Sequence, residues 1–174
     1  MSAGHGLSKS RYRTGLNCHK ALCLAVHERE LADPVSEGQR ARFDDGERVG
    51  KLARLRFQGG VLVEEDQTEQ RAALARTREL LEQGVSVLYE AAFVHDDVLV
   101  GADVMLRDGD VWNLVEVKSS TKAKPEHVTD AAIQTYVVEG AGLTVGKAFV
   151  GHLDKTYVYP GGDYDLDALF ALTM

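Results

Sequence analysis

Between residues 85 and 118 the chain carries three β-type runs with only two short interruptions, and no other feature constrains its fold as strongly. VSVLYEAAFV (85–94), VLVGADVML (98–106) and VWNLVEVK (111–118) are dense in β-branched and aromatic residues, which suit a pleated, half-buried surface. Asp96-Asp97 and Asp108-Gly109 separate them, and both pairs fit two-residue hairpin turns. Three antiparallel strands in series follow, and two tight turns fix their register. The first turn sets Glu90 opposite Asp103. The second sets Asp103 opposite Leu114, with Glu116 two residues further along the same face and diagonal to Asp103. Diagonal neighbours lie roughly 7–8 Å apart, within reach of a shared ion.

Glu90, Asp103, Glu116 and Lys118 thereby share one sheet face. Clustered carboxylates repel and raise one another's pKa, and the same-face neighbours of Asp103 (Leu99, Gly101 and Met105) offer it no partner. A divalent cation removes the conflict. Oxygen ligands without histidine or thiolate suit magnesium or manganese better than zinc. The lysine can then orient or deprotonate an attacking water, or stabilise charge on a phosphate. Two plainer alternatives stand beside this: an exposed Glu116–Lys118 ion pair, and a solvated polar sheet face.

The rest of the chain supplies the layers. Residues 7–30 carry a helical pattern (Leu16, Ala21, Leu22, Leu24, Ala25) with Ser8 placed to cap it, and Asp33-Pro34 breaks it. A second helix is expected over 37–57, with Phe43, Val49, Leu52 and Leu55. Gly46 and Gly50 share one of its faces, a costly choice that predicts close backbone approach. Gly59-Gly60 ends it before a short strand at 61–63. A third helix over 68–83 turns Leu74, Leu80 and Leu81 inward. Pro125 opens a fourth, to about 139. Strands are expected at 143–153 and 156–159. The result is one α/β (α+β) domain spanning 1–174, with a core at about 7–160 and a peripheral tail at 161–174.

Charge bears on partners. The net charge of −7 argues against nucleic acid at first sight, but residues 1–60 hold 11 Lys/Arg against 7 Asp/Glu, and the remainder 9 against 20. Acids that hold metal are compatible with a DNA partner met by local cations. Lys122 and Lys124, after the third strand, form one such group beside Ser119, Ser120 and Thr121; Lys9, Arg11 and Arg13 form another. A solvated loop and a solvated terminus are the plain alternatives. His127 lies near the same helix face as Gln134, as a substrate or metal contact or as an ordinary core or surface histidine. No run of eighteen apolar residues exists, and the first residues lack the apolar stretch of a signal peptide. A cytoplasmic protein with no membrane association is the expectation.

Asp103, a gap, then Glu116-Val117-Lys118 resembles the D-x(n)-E-x-K signature of the PD-(D/E)XK nuclease superfamily. Within it the chain is similar to the RecB-like branch, which includes the CRISPR-associated exonucleases. That branch adds an earlier acid, matched by Glu90 in LYEAAF, and a glutamine on the following helix, matched by Gln134 in AAIQTYVVEG. LSKSRYRTGLNCHKALCL and WNLVEVKSSTK also resemble an uncharacterised bacterial family of larger proteins with such a domain in front. The resemblance covers about residues 7–160. It implies a restriction-endonuclease-like core with a mixed sheet flanked by helices, and a magnesium- or manganese-dependent deoxyribonuclease, exonuclease favoured over endonuclease. Glu90, Asp103 and Glu116 would hold metal, Lys118 would act on the nucleophilic water, and Gln134 would orient water or a ligand.

Two positions depart from the pattern. The branch usually has a histidine ligand on an N-terminal helix; FDDGERVGKLA has Glu47 there, as a fourth metal ligand or a solvated residue. The tyrosine four residues after the glutamine is Val138, with Tyr136 two residues on instead. Iron–sulfur members of the branch hold their cluster with one early and three late cysteines. Cys18 and Cys23 are the only cysteines here, so no cluster is expected, and both are expected to be buried on a helix. Cys18, His19, Cys23 and His27 along one helix have poor geometry for tetrahedral zinc. Two further readings remain: a non-catalytic nucleic-acid-binding module that keeps the fold, and a protein-interaction domain with an acidic sheet face.

Overall fold

The computed structural model describes residues 7–64 and 70–174. Its centre is a seven-stranded mixed sheet. The strands are β1 (Leu7–Ser8), β2 (Val61–Leu62), β3 (Val87–His95), β4 (Val98–Asp108), β5 (Val111–Lys118), β6 (Val145–Leu153) and β7 (Phe170–Thr173). They stand in the order β2-β3-β4-β5-β6-β7, with β1 against the start of β4. The helices are α1 (Lys9–Asn17), α2 (His19–His27), α3 (Glu37–Arg56), α4 (Gln70–Glu82), α5 (Pro125–Gly140) and the short α6 (Leu166–Leu169). This is the layered α/β (α+β) domain that the hydrophobic patterning predicts, with the mixed sheet flanked by helices that the resemblance implies.

Helices cover both faces. On one, Ala73 and Leu80 of α4 and Val137 and Val138 of α5 pack on Leu88, Phe93, Val100, Met105 and Leu114. On the other, Phe57 at the end of α3 meets Tyr89, Val104 and Val115, and Val49 and Ala53 meet Leu169 and Phe170. Ser36 and Gln39 close a reciprocal capping box at the start of α3, satisfying two otherwise unpaired amides.

The first hairpin turns at Asp96-Asp97 as predicted, both with positive φ (47° and 58°). The second does not turn at Asp108-Gly109. Asp108 pairs with Val111 and Met105 with Leu114, so Gly109-Asp110 is the turn and Gly109 supplies the positive φ of 60°. The register therefore moves by two residues, a shift that by itself exchanges no side chains between faces. Asp103 is consequently level with Glu116, not opposite Leu114.

Other expectations need correction. The helix expected over 7–30 is two helices, because Cys18 is extended (φ −162°, ψ 111°) and caps α2, its Sγ accepting from the Ala21 amide. Leu7 and Ser8 leave the helix to pair with Val98 and Leu99, while Ser8 caps α1 as expected. Cys18 and Cys23 are exposed, not buried, as are Leu16, Leu24, Phe43 and Leu55. Of the inward set on α4, Leu80 is buried and Leu74 and Leu81 are half-buried; residues 68 and 69, where that helix was expected to begin, lie outside the described residues. Residues 156–159 form no strand, since Asp154 Oδ1 accepts from both the amide and hydroxyl of Thr156 (2.7 and 2.6 Å) and turns the chain. Residues 161–174 are no peripheral tail: β7 pairs antiparallel with β6 and Phe170 is buried.

Among the described residues, no helix is long and apolar enough to cross a membrane.

Candidate active site

The carboxylates meet where the sheet is irregular. Leu88 and Met105 pack on the α4–α5 face, and so do Ala91 and Ala102, although strand alternation would send them to opposite faces. Both β3 and β4 therefore switch faces between these positions, at Glu90 and Asp103. The switch leaves the β3–β4 register intact on either side. Glu90 adopts φ 55° to make it, a left-handed conformation that costs a non-glycine residue about 1–3 kcal/mol.

Beyond Val104–Val115 the β4–β5 ladder stops. Asp103 replaces the missing backbone partner: its Oδ2 accepts from the Val117 amide at 2.6 Å. The gap between the strands opens a cavity of about 330 Å³ lined by Glu90, Asp103, Glu116 and Lys118, with Lys9 from α1 and Gly46, Glu47, Gly50 and Arg54 from α3. The glycine pair does not bring another backbone close. A Cβ at Gly46 or Gly50 would meet no atom within 4 Å, so the bare helix face bounds open space above the carboxylates.

Glu116 is the hub. It is 1 % exposed, and both its oxygens lie 2.9 Å from Lys9 Nζ. Lys118 Nζ stands 2.5 Å from Oε1, and Gln134 Nε2 donates to Oε2 and to the Gly101 carbonyl (3.1 Å). Burial would raise its carboxyl, but the Lys9 and Lys118 charges and their hydrogen bonds outweigh this and hold it below the ordinary range. Among the described residues, no cation stands in hydrogen-bond contact with Asp103. Burial first, then the neighbouring Glu116 charge, push its carboxyl up to about 8. Partial burial also raises Glu90, against the pull of Arg54, whose Nη1 lies 3.6 Å away, and of Lys9. Lys118 loses solvation too, yet Glu116 and Asp130 hold its ammonium above the usual lysine range.

Asp130 was not anticipated. It is fully buried on α5, and its Oδ2 binds Lys118 Nζ at 2.9 Å and Arg13 Nη1 at 3.3 Å. The signal was its place one helical turn before Gln134, on the same face. Its Oδ1 and Gln134 Oε1 are buried acceptors with no partner among the described residues.

Other predicted residues lie elsewhere. Lys9 belongs to the carboxylate cluster rather than to a basic surface group, and Arg13 is committed to Asp130. The Arg11 amide donates to Ser8 Oγ at 3.3 Å. Lys122 is exposed on the loop after β5, and Lys124 lies 3.8 Å from Glu126. Glu47 reaches the cavity rim but pairs with Lys51 at 2.6 Å. His127 Nδ1 accepts from the Lys124 amide at 3.3 Å, a helix-capping role, and burial holds its imidazole below the usual range. Tyr136 bonds Asp96 at the far hairpin and does not join the cluster.

The donor chemistry fits a hard divalent cation: the acidic side chains that line the cavity, Glu47, Glu90, Asp103 and Glu116, offer carboxylate oxygens. Among the described residues, however, no three Asp, Glu, His or Cys side chains stand in ligating geometry; the Lys9 ammonium is seated on Glu116. No family model, curated protein or solved structure matches this chain.

Proposed function

We propose that the chain is a magnesium- or manganese-dependent nuclease that hydrolyses phosphodiester bonds of DNA, from ends in preference to internal sites. The observation that carries it is the convergence of Glu90, Asp103, Glu116 and Lys118 at one opening in the sheet, under a helix face stripped of side chains by Gly46 and Gly50. The D-x(n)-E-x-K resemblance and the position of Gln134 against Glu116 support it. DNA and end-directed cleavage rest on the resemblance alone.

Glu90, Asp103 and Glu116 would hold the ion, with Glu47 at the rim. Bound there, a divalent cation supplies Lewis-acid stabilisation of phosphoryl charge and a lowered pKa for water. The chain's own contribution is mainly positional. Lys118 remains protonated at neutral pH because two carboxylates face it, so its part is to donate hydrogen bonds to the attacking water and the phosphate oxygen, not to remove a proton. Asp130 fixes the direction of that ammonium, and Gln134 fixes the Glu116 carboxylate. The bare α3 face leaves room for a sugar–phosphate backbone to approach. Lys122 and Lys124 follow β5 closely enough to meet flanking phosphates.

The rival is a nucleic-acid-binding module without turnover. Two observations favour it: Glu47 is paired with Lys51, and Lys9 sits on Glu116. Labelled linear and circular DNA, single- and double-stranded, separates the two when incubated with magnesium, manganese or chelator. Metal-dependent products, absent with chelator and absent for Lys118→Ala, support the nuclease. Binding without products under every condition supports the rival.

A further inference from the structure

We propose that Lys9 is a built-in occupant of the cation position, and that a divalent ion must displace its ammonium from Glu116 to bind. The inference rests on the metal-dependent reading above and adds to it a competition within the chain.

Three observations converge. Lys9 Nζ is equidistant, at 2.9 Å, from both oxygens of Glu116, a carboxylate that would hold a divalent cation. It lines the same cavity as Glu90 and Asp103, and its positive charge offsets the upward push on both carboxyls. Its place in the chain is also unfavourable for anything else. Lys9 is the first residue of α1, whose first turn carries no acid, and a cation there opposes the helix dipole. The contact with Glu116 is what this lysine gains. Gln134, which donates to Glu116 through Nε2, also carries a buried Oε1 with no partner among the described residues.

Lysine suits the role chemically. An ammonium is a compact, strongly hydrated charge on a flexible four-carbon stem, able to swing into solvent without moving the backbone of β1 or α1. It is 22 % exposed where it sits, so the exit is open. While seated, it neutralises a buried carboxylate whose charge would otherwise be costly. Once replaced by a doubly charged ion, it becomes available at the mouth of the cavity for a phosphate.

The test uses the full chain and manganese as the probe. Manganese binding to wild type and to Lys9→Met is measured by titration calorimetry and by the loss of the free-ion electron paramagnetic resonance signal. Removal of the competitor should tighten binding at least tenfold and, in chelator, lower the melting temperature, with manganese restoring it. Equal affinities in wild type and variant would overturn the competition while leaving the metal reading intact; no binding by either would overturn both. Should Lys9→Met not fold, wild type alone decides. Mass spectrometry of amine acylation should find Lys9 protected in chelator and several-fold more reactive with saturating magnesium. An unchanged Lys9 rate under conditions where manganese is bound overturns the proposal.

Discussion

The Lys118 ammonium lies 2.9 Å from an oxygen of Asp130 and 2.5 Å from an oxygen of Glu116, so one cation on β5 ties a sheet strand to the buried face of α5. Its two carboxylate partners are 0 % and 1 % exposed. Removing Lys118 leaves two buried carboxylates with less compensation, Glu116 on Lys9 and Asp130 on Arg13. Lys118→Ala should therefore lose about 2–3 kcal/mol of stability as well as any cleavage, while manganese still binds. A denaturant titration alongside calorimetry checks this. Wild-type turnover in the variant would remove Lys118 from the chemistry.

Asp103 gives a pH dependence. Its folded carboxyl titrates near 8 against about 4 in the unfolded chain, so the fold takes up a proton that the unfolded state releases. That contribution to stability is full below about pH 4 and is lost as pH rises through the folded value near 8. In chelator, Asp103→Asn keeps an acceptor for the Val117 amide but cannot ionise. Wild type should lose stability relative to this variant between pH 5 and 8, and no further above. Parallel profiles for the two proteins would mean that Asp103 is not the group concerned. The variant should also lose the manganese-induced rise in melting temperature.

Gly46 separates stability from use of the cavity. A Cβ there meets nothing within 4 Å, and alanine is a better helix residue than glycine by about 1 kcal/mol. Gly46→Ala should raise the melting temperature and weaken DNA binding, as measured by fluorescence anisotropy. Unchanged affinity would mean that substrate does not approach along α3.

Phe170 tests the end of the chain. Its ring is buried beside Val49, Ala53 and Leu169, and replacing a core phenylalanine with alanine typically costs about 3–5 kcal/mol. Phe170→Ala should fall in that range by chemical denaturation; a loss below about 1 kcal/mol would show that β7 adds little to the fold.

Cys18 gives the smallest expected effect. Its Sγ is a long, 3.5 Å acceptor for the Ala21 amide, and serine caps helices better by up to about 1 kcal/mol. Cys18→Ser should be as stable as wild type or more so. The purified protein should be colourless, because two cysteines cannot supply the four thiolates an iron–sulfur cluster takes. Visible charge-transfer absorbance that disappears in Cys18→Ser would contradict this.

The sequence by itself determined the strand meander, the layers and the identity of the converging acids. Alternation of apolar residues over 85–118 assigns faces, which survive a register error of two but not the switch at Glu90 and Asp103; Glu90, Asp103, Glu116 and Lys118 still line one cavity even though the second turn sits one residue later than its Asp-Gly signal suggested. Gln134 was legible only through the motif it resembles. The tertiary structure decided the rest, through contacts between residues far apart in the chain. Lys9 is 107 positions from Glu116 and Arg13 is 117 from Asp130, and nothing local marks a lysine at a helix start as the counter-ion of a buried glutamate. The face switch at Glu90 and Asp103 depends on where two strands part. The place of Phe170–Thr173 depends on the free edge that β6 offers. Local pattern encodes which way a side chain points; which charge it meets there is set only when the sheet and its helices close around it.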